Sequence, residues 1–236
     1  MINKVRHHFL LYPFFSHYIN RKMKKSFHQV KLVGETIDSG NAVLVISNHY
    51  SWWDGFWINH LNQSLFHRKF CFLMSEEELQ KHWYFKFTGG ISIRKKSRSI
   101  VDSINYSAEL LSDPQYLLLI FPQGQFQSMH ASALYFEKGF ESILKKCTQP
   151  VQLLFVANIV EFFSNPKPSV FIYFEEYRYN NQNLSDIRIA YQQFYSSCKL
   201  KERSIHSVDS VHSDHSVDSV HWLRRFTLRS NSVHSV

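Results

Sequence analysis

Four nearly continuous apolar runs constrain the fold of this 236-residue chain more than any other feature of its sequence. They occupy residues 42–47, 70–74, 116–121 and 151–160. Runs of this length and composition are typical of strands that are buried on both faces of a parallel sheet. Segments with helical spacing of apolar residues separate them, and strands that alternate with helices predict an α/β fold. We therefore expect a single domain with a mixed, largely parallel central sheet flanked by helices.

The other elements are predicted from caps, chain breakers and residue spacing. Ser75 and Glu78 have the spacing of a capping box, which predicts a helix from Ser75 to about Thr88. Further helices are predicted at residues 52–61, 99–111 and 136–147 and from residue 185 onward. Short strands are predicted at residues 91–93 and 169–174. These elements all fall within residues 31–202, which we assign to the domain.

Both ends of the chain differ in composition from this domain. Residues 1–30 alternate aromatic and basic clusters, as in Phe9–Phe15 followed by Arg21–Lys25. Such a segment fits a helix at a membrane interface, and it fits equally well a helix packed on the domain with a solvated basic face. In residues 203–236 the segment His206–His212 recurs as His215–His221. These repeats are too short and polar to bury a core, so we expect a disordered tail.

Charge and hydropathy favour a membrane surface as the partner. The formal net charge is +8 and the isoelectric point is about 9.3, which indicates an anionic partner, either a membrane or a nucleic acid. No stretch resembles a nucleic-acid-binding module, so no nucleic-acid partner is expected. No apolar run approaches the roughly 18 residues of a spanning helix, and the three cysteines are odd in number and widely separated, as in reduced cytoplasmic proteins. We expect peripheral attachment at the cytoplasmic face of a membrane.

The polar stretch Asn48–Asp54 directly follows the first apolar run. An alcohol needs a base within hydrogen-bond reach to attack an acyl group at neutral pH, and histidine titrates in that range. His49 and Asp54 would lie on different faces of one regular helix, so we expect them to straddle a turn at the carboxyl end of a strand. There Asp54 would orient the imidazole and stabilise the imidazolium. A hydrogen-bonded loop histidine beside a carboxylate of the first helical turn is the alternative interpretation.

Four short motifs in order resemble the signatures of the lysophosphatidic acid acyltransferase family, within the glycerolipid acyltransferase superfamily. They are Asn48–Asp54 (N-H-x4-D), Gly90–Lys95, Phe121–Gly124 and Phe136–Gly139. The likeness covers roughly residues 43–160. It implies a glycerolipid-acyltransferase-like fold and acyl transfer from acyl-CoA or acyl carrier protein to a lipid hydroxyl, without a cofactor. His49 and Asp54 are the catalytic pair that the resemblance implies.

The resemblance also gives hypotheses for the turn and for the basic residues. Backbone amides around Gly124, beside Gln123, are expected to stabilise the oxyanion of the tetrahedral intermediate, and a simple Pro/Gly turn is the alternative. Arg94, Lys95 and Arg98 are the candidates for binding the phosphate of an acceptor or of coenzyme A. A solvated run of charges is the alternative for these three residues. No metal site is expected.

Two departures from the family pattern bear on the acceptor. Gln123 stands where the third signature usually has glutamate, and Phe126 stands where it has the arginine thought to grip the acceptor phosphate. The main expectation is a membrane-associated O-acyltransferase that acts on a lysophospholipid-type acceptor. The alternatives are the same chemistry on a non-phosphate acceptor, such as an amino-lipid or glycolipid, and a non-catalytic lipid-binding protein.

Overall fold

The computed structural model describes residues 2–94, 99–131, 133–137, 140–180 and 184–212, with side chains as far as residue 202. Its described strands form one seven-stranded sheet. The strands are β1 (Gln29–Val33), β2 (Ala42–Ser47), β3 (Lys69–Ser75), β4 (Gly90–Ile93), β5 (Tyr116–Ile120), β6 (Val151–Glu161) and β7 (Ser169–Glu176). Their order across the sheet is β1-β7-β6-β2-β5-β3-β4. β2 is therefore the middle strand, and the residues after it emerge at the centre of one sheet edge.

The described ranges contain six α-helices. They are α1 (Leu11–Ser26), α2 (Asp54–Leu65), α3 (Glu76–Lys81), α4 (Ser99–Leu110), α5 (Glu141–Lys146) and α6 (Ile187–His212), with 3₁₀ turns at Trp83–Phe87 and Leu184–Asp186. No helix among these has the length and apolarity needed to cross a membrane. One compact unit ends at Tyr195, and a second begins at Ser196 within α6. α6 continues through residues 203–212 of the predicted tail, and the rest of that tail lies outside the described residues.

The strand directions confirm the predicted fold class. β6, β2, β5, β3 and β4 run parallel to one another, whereas β7 is antiparallel to β6 and β1 is parallel to β7. Residues 162–168 link β6 to β7, which is shorter than the crossover of about a dozen residues that a parallel pair requires. β1 has no counterpart among the predicted strands, because it is a short edge strand in which Gln29 and Lys31 interrupt the apolar pattern.

The helix predicted from Ser75 to Thr88 is too long. It ends at Lys81, and the 3₁₀ turn at Trp83–Phe87 follows. The Ser75 hydroxyl accepts from the Glu78 N–H at 3.2 Å, as a capping box requires. The Glu78 carboxylate, however, accepts from the Lys81 ammonium at 2.6 Å. It therefore pairs with the last residue of the helix, and the second bond of a capping box, from the N-cap backbone N–H to this carboxylate, contributes less to holding the helix start.

The helix predicted at residues 136–147 is also too long, because α5 begins only at Glu141. Phe136 and Glu137 are not helical, and residues 138–139 lie outside the described chain. The Glu137 N–H donates to the Pro122 carbonyl at 2.8 Å. This bond ties the segment to the turn after β5 and keeps it out of the helix.

One face of α1 belongs to the core. Ile19 and Met23 of α1 are buried in the same apolar cluster as Trp57 of α2 and the inner side chains Val43 and Val45 of β2. Full burial of side chains of this kind contributes about 1.5–3 kcal/mol each relative to exposure. The N-terminal helix is therefore held on the sheet by its own apolar residues, on the face where α2 also packs.

Candidate active site

Asn48 determines how the chain leaves the middle strand. Its side-chain amide donates to the Asn158 carbonyl at 3.0 Å, and its side-chain oxygen accepts from the Asn158 N–H at 2.8 Å. This pair of bonds replaces the next rung of the ladder between β2 and β6, so the backbone of β2 can turn away while the buried backbone N–H and C=O of Asn158 remain satisfied. His49 consequently projects from the carboxyl edge of the sheet.

His49 and Asp54 contact each other across the turn between β2 and α2. The His49 Nδ1 lies 2.9 Å from Asp54 Oδ2. The same carboxylate oxygen accepts the backbone N–H groups of Tyr50 and Ser51, each at 2.8 Å. Asp54 is fully buried, whereas 20% of the His49 side chain is exposed. Because Nδ1 donates to the carboxylate, the other ring nitrogen keeps its lone pair and can accept a proton.

Burial and hydrogen bonding act in opposite directions on Asp54. Removal from water raises the pKa of the Asp54 carboxyl, and the hydrogen bonds from His49, Ser51 and Tyr50 lower it; the net direction is upward. The second carboxylate oxygen, Oδ1, is buried without a hydrogen-bond partner in the structure. The negative charge is therefore concentrated on the oxygen that faces the imidazole, where it stabilises a positive charge on the ring.

The imidazole of His49 lies between two phenylalanine rings. Phe121, directly after β5, stacks on one face with a centroid separation of 3.9 Å and an interplanar angle of 11°. Phe126 lies 4.1 Å away at an angle of 34°. Because these two rings cover the imidazole, a substrate hydroxyl can reach the free ring nitrogen only from the edge of the ring. The hydroxyl therefore approaches in the plane of the imidazole.

The turn after β5 is tied to the histidine. Its Gly124 has a φ of +66°, in the left-handed region that favours glycine. The Gly124 N–H donates to the Phe121 carbonyl at 3.1 Å, and the Gln127 N–H donates to the His49 carbonyl at 2.9 Å. The Gly124 amide is thus used within the turn, and the next amides along the chain, Gln125 and Phe126, belong to residues that line a cavity.

Gln123 lies apart from this cavity. Only 1% of the residue is exposed, and its side-chain oxygen has no hydrogen-bond partner among the described residues. Gln123 is not among the residues that line the cavity, whereas its neighbours Pro122 and Gly124 are. The structure therefore separates the two turn residues that the sequence grouped together.

The cavity extends from His49 along the sheet and has a volume of about 560 Å³. Val45, Leu119, Phe72 and Gly90 lie in one row across four strands. His49 lies two residues beyond the carboxyl end of β2 and Thr88 two residues before the start of β4, and both line the cavity. The cavity thus runs from the carboxyl edge to the amino edge of the sheet.

The walls of the cavity are mainly apolar. Four phenylalanine rings in the wall contact one another, with Phe85 at 5.4, 5.8 and 6.2 Å from Phe72, Phe15 and Phe56. A mainly apolar cavity lined by aromatic side chains, with a small number of polar groups, is the usual form of a ligand site, and a long one has room for an aliphatic chain.

Helix α1 supplies part of this wall, which the sequence analysis does not predict. Tyr12, Phe15, Ser16 and Ile19 all line the cavity. Their spacing of three, four and seven residues is that of one helical face. This spacing can be read from the sequence. It does not show, however, whether the helical face contacts the core, a bilayer or a ligand.

The predicted basic residues are only partly described. Arg94 is 61% exposed in its side chain and donates to the Glu76 carboxylate at 2.5 Å. It is not among the residues that line the cavity. Lys95 and Arg98 lie outside the described residues. The structure therefore joins His49 to Asp54 and to the turn after β5, and it does not bring Arg94 to them.

Comparisons with known proteins agree with this fold. Residues 29–175, more than half of the chain, match the protein family described as Acyltransferase. The crystal structure of the 1-acyl-sn-glycerophosphate (LPA) acyltransferase PlsC from Thermotoga maritima is similar, with a TM-score of 0.55, 17% sequence identity and 79% of each chain covered. No curated protein sequence matches this chain. The fold and the family match define an acyltransferase enzyme, and this chain belongs to the acyltransferase family.

Proposed function

We propose that this enzyme transfers a fatty acyl group from an acyl thioester to the hydroxyl of a glycerolipid-type acceptor at a membrane surface. The observation that carries the proposal is the hydrogen bond of 2.9 Å between His49 and the buried Asp54, at one end of a long apolar cavity. This arrangement combines a general base with room for an aliphatic chain. Acyl-CoA or acyl carrier protein is the donor.

In the proposed reaction His49 removes the proton of the acceptor hydroxyl while the oxygen forms a bond to the thioester carbonyl carbon. Asp54 stabilises the imidazolium. Backbone amides after Gly124 donate hydrogen bonds to the oxyanion. The carbon–sulfur bond then breaks, and the imidazolium returns its proton to the leaving thiolate. The atoms balance without a covalent enzyme intermediate and without a cofactor.

The surface around α1 supports attachment to a membrane. Large apolar side chains near its start and in the neighbouring 3₁₀ turn are exposed: Phe9 (78%), Leu10 (61%), Phe14 (69%), Tyr18 (46%) and Trp83 (58%). Ring contacts at 5.0 to 6.3 Å connect Phe9, His8, Phe87 and Trp83 in that order. An exposed apolar belt followed by a basic helical turn, which here includes Lys24 and Lys25, fits the interface of an anionic bilayer.

Product formation tests the catalytic part of the proposal. The purified protein is incubated with labelled acyl-CoA or acyl carrier protein and a panel of lysolipid acceptors, and the products are identified by mass spectrometry. We expect the His49→Ala variant to lose about 10²–10⁴-fold in turnover, as for removal of a general base. His130→Ala is the matched control because His130 is exposed and does not line the cavity. Full turnover by a folded His49→Ala protein excludes the proposed role.

Vesicle binding tests the membrane part separately. The triple variant Phe9→Ser, Phe14→Ser, Trp83→Ser is compared with the wild type for co-sedimentation with phosphatidylglycerol-containing vesicles. Ile37→Ser is the control, because Ile37 is 84% exposed but lies in the link between β1 and β2. We expect the triple variant alone to lose binding, and equal loss by the control would contradict an attachment through α1.

A further inference from the structure

The surroundings of His49 restrict what can lie beside the reacting hydroxyl. The ring contacts of Phe121 and Phe126 cover the imidazole, and 20% of the His49 side chain remains exposed. A hydroxyl that reaches the free ring nitrogen passes between the edges of these rings. Groups attached close to that hydroxyl must therefore lie against aromatic carbon.

The described part of the cavity wall offers no cation for an anionic group. Its charged side chains are two carboxylates, Glu78 and Glu137, and the described lining contains neither lysine nor arginine. Arg94 lies outside this lining and is paired with Glu76. Glu78 is itself paired with Lys81 at 2.6 Å, so the described wall adds no positive charge for an anionic group.

A phosphate monoester carries a charge of about −1.5 to −2 at neutral pH. Moving such a charge from water to a site between aromatic rings is strongly unfavourable unless a cation or several N–H donors pair with it. An uncharged hydroxyl carrier avoids this cost, because its alcohol needs only the imidazole as its acceptor.

We propose that Phe126 sets the acceptor class and that the acceptor is an uncharged lipid alcohol, with no phosphate group next to its reacting hydroxyl. The inference rests on the proposed acyl transfer and concerns only its acceptor. Phe126 acts through its ring, which covers the imidazole at a centroid separation of 4.1 Å. A monoacylglycerol and a long-chain alcohol represent the class.

The test compares kcat/KM for monoacylglycerol, a long-chain alcohol and lysophosphatidate in the same mixed vesicles. We expect the wild type to prefer the uncharged acceptors at least tenfold. Phe126→Arg should shift that ratio at least tenfold toward lysophosphatidate, because an arginine binds phosphate with paired hydrogen bonds. Phe126→Leu, which stays apolar without adding charge, should keep the ratio within about threefold. Phe126 is 56% exposed, so both variants are expected to fold, which circular dichroism checks.

Two results overturn the inference. One is a wild type that uses lysophosphatidate as well as the uncharged acceptors; loss of that activity in a Lys95→Ala, Arg98→Ala variant would then assign the phosphate to the basic segment. The other is a folded, active Phe126→Arg protein with an unchanged ratio. Failure of the underlying function gives a different outcome, in which the wild type forms no product with any acceptor in the panel.

Discussion

Replacing Asp54 by asparagine separates the catalytic role of its charge from its role in the fold. In the wild type one carboxylate oxygen accepts three N–H groups, from His49, Tyr50 and Ser51. An asparagine oxygen can occupy the same position and keep the two backbone bonds. It carries no charge, however, and cannot stabilise an imidazolium. The variant is therefore expected to keep the turn and lose the chemistry.

The expected loss of activity follows from the size of general-base catalysis. Without the carboxylate, proton transfer to His49 loses its electrostatic support, so kcat should fall by about 10²–10⁴-fold. This corresponds to roughly 2.7–5.4 kcal/mol in the activation free energy, at about 1.36 kcal/mol per factor of ten. KM for the acceptor should change little, because Asp54 is fully buried and does not line the cavity.

Unlike its activity, the stability of Asp54→Asn is expected to exceed that of the wild type. Burial raises the pKa of Asp54 in the folded protein, so the folded state binds this proton more tightly than the unfolded state does. The stabilisation from the protonated carboxyl is complete below the unfolded pKa of about 3.9 and is lost as the pH rises through the folded pKa. Asparagine cannot ionise. The free energy of unfolding of Asp54→Asn, relative to the wild type, should therefore increase as the pH rises and then level off.

Steady-state kinetics and urea unfolding of both proteins at several pH values test these expectations together. The reasoning is refuted if Asp54→Asn keeps at least a tenth of the wild-type kcat. It is also refuted if the variant is the less stable protein above the folded pKa by more than about 2 kcal/mol, since three weakened hydrogen bonds would then outweigh the burial of the charge. A variant that is inactive and stable meets both expectations.

Three further substitutions test other parts of the site. Asn48→Ala leaves the buried N–H and C=O of Asn158 without these partners, so urea unfolding should show a loss of roughly 2–6 kcal/mol at about 1–3 kcal/mol for each group; a loss below 1 kcal/mol contradicts this. Gly124→Ala forces a side chain into a left-handed conformation, which costs about 1–2 kcal/mol, whereas the helical control Gly55→Ala should stabilise by about 0.5–1 kcal/mol; equal melting shifts would contradict the distinction. Ser16→Phe narrows the cavity from α1 and should lower kcat/KM for long acyl-CoA chains more than for short ones, and a uniform decrease across a chain-length series would show that Ser16 does not limit the chain.

The sheet was predictable from the sequence because its central strands are buried on both faces. All six residues of β2 are buried, and so is most of β6. Such strands appear as uninterrupted apolar runs, which identify them without tertiary information. β1 is an edge strand with alternating exposure, and its pattern over five residues does not differ enough from that of a loop.

The site was predictable only as far as local sequence determines it. His49 and Asp54 are five residues apart, so the turn between strand and helix decides their contact. The ring contact of Phe126 with His49 depends instead on how the turn after β5 folds back toward the end of β2, and this fold includes the bond from the Gln127 N–H to the His49 carbonyl. Contacts between distant segments of this kind require the sheet order, and the motifs alone do not provide it.

The packing of α1 connects the proposed membrane contact with the proposed chemistry. Phe15 lines the cavity, while its neighbour Phe14 is 69% exposed. Adjacent residues of a helix point about 100° apart, so the helix can face the cavity with one side and lipid with the next. In the proposed membrane-bound state, a lipid acceptor approaches the cavity along α1. The exposed apolar residues at α1 and the 3₁₀ turn lie next to the wall that carries Phe85, as the proposed membrane contact requires.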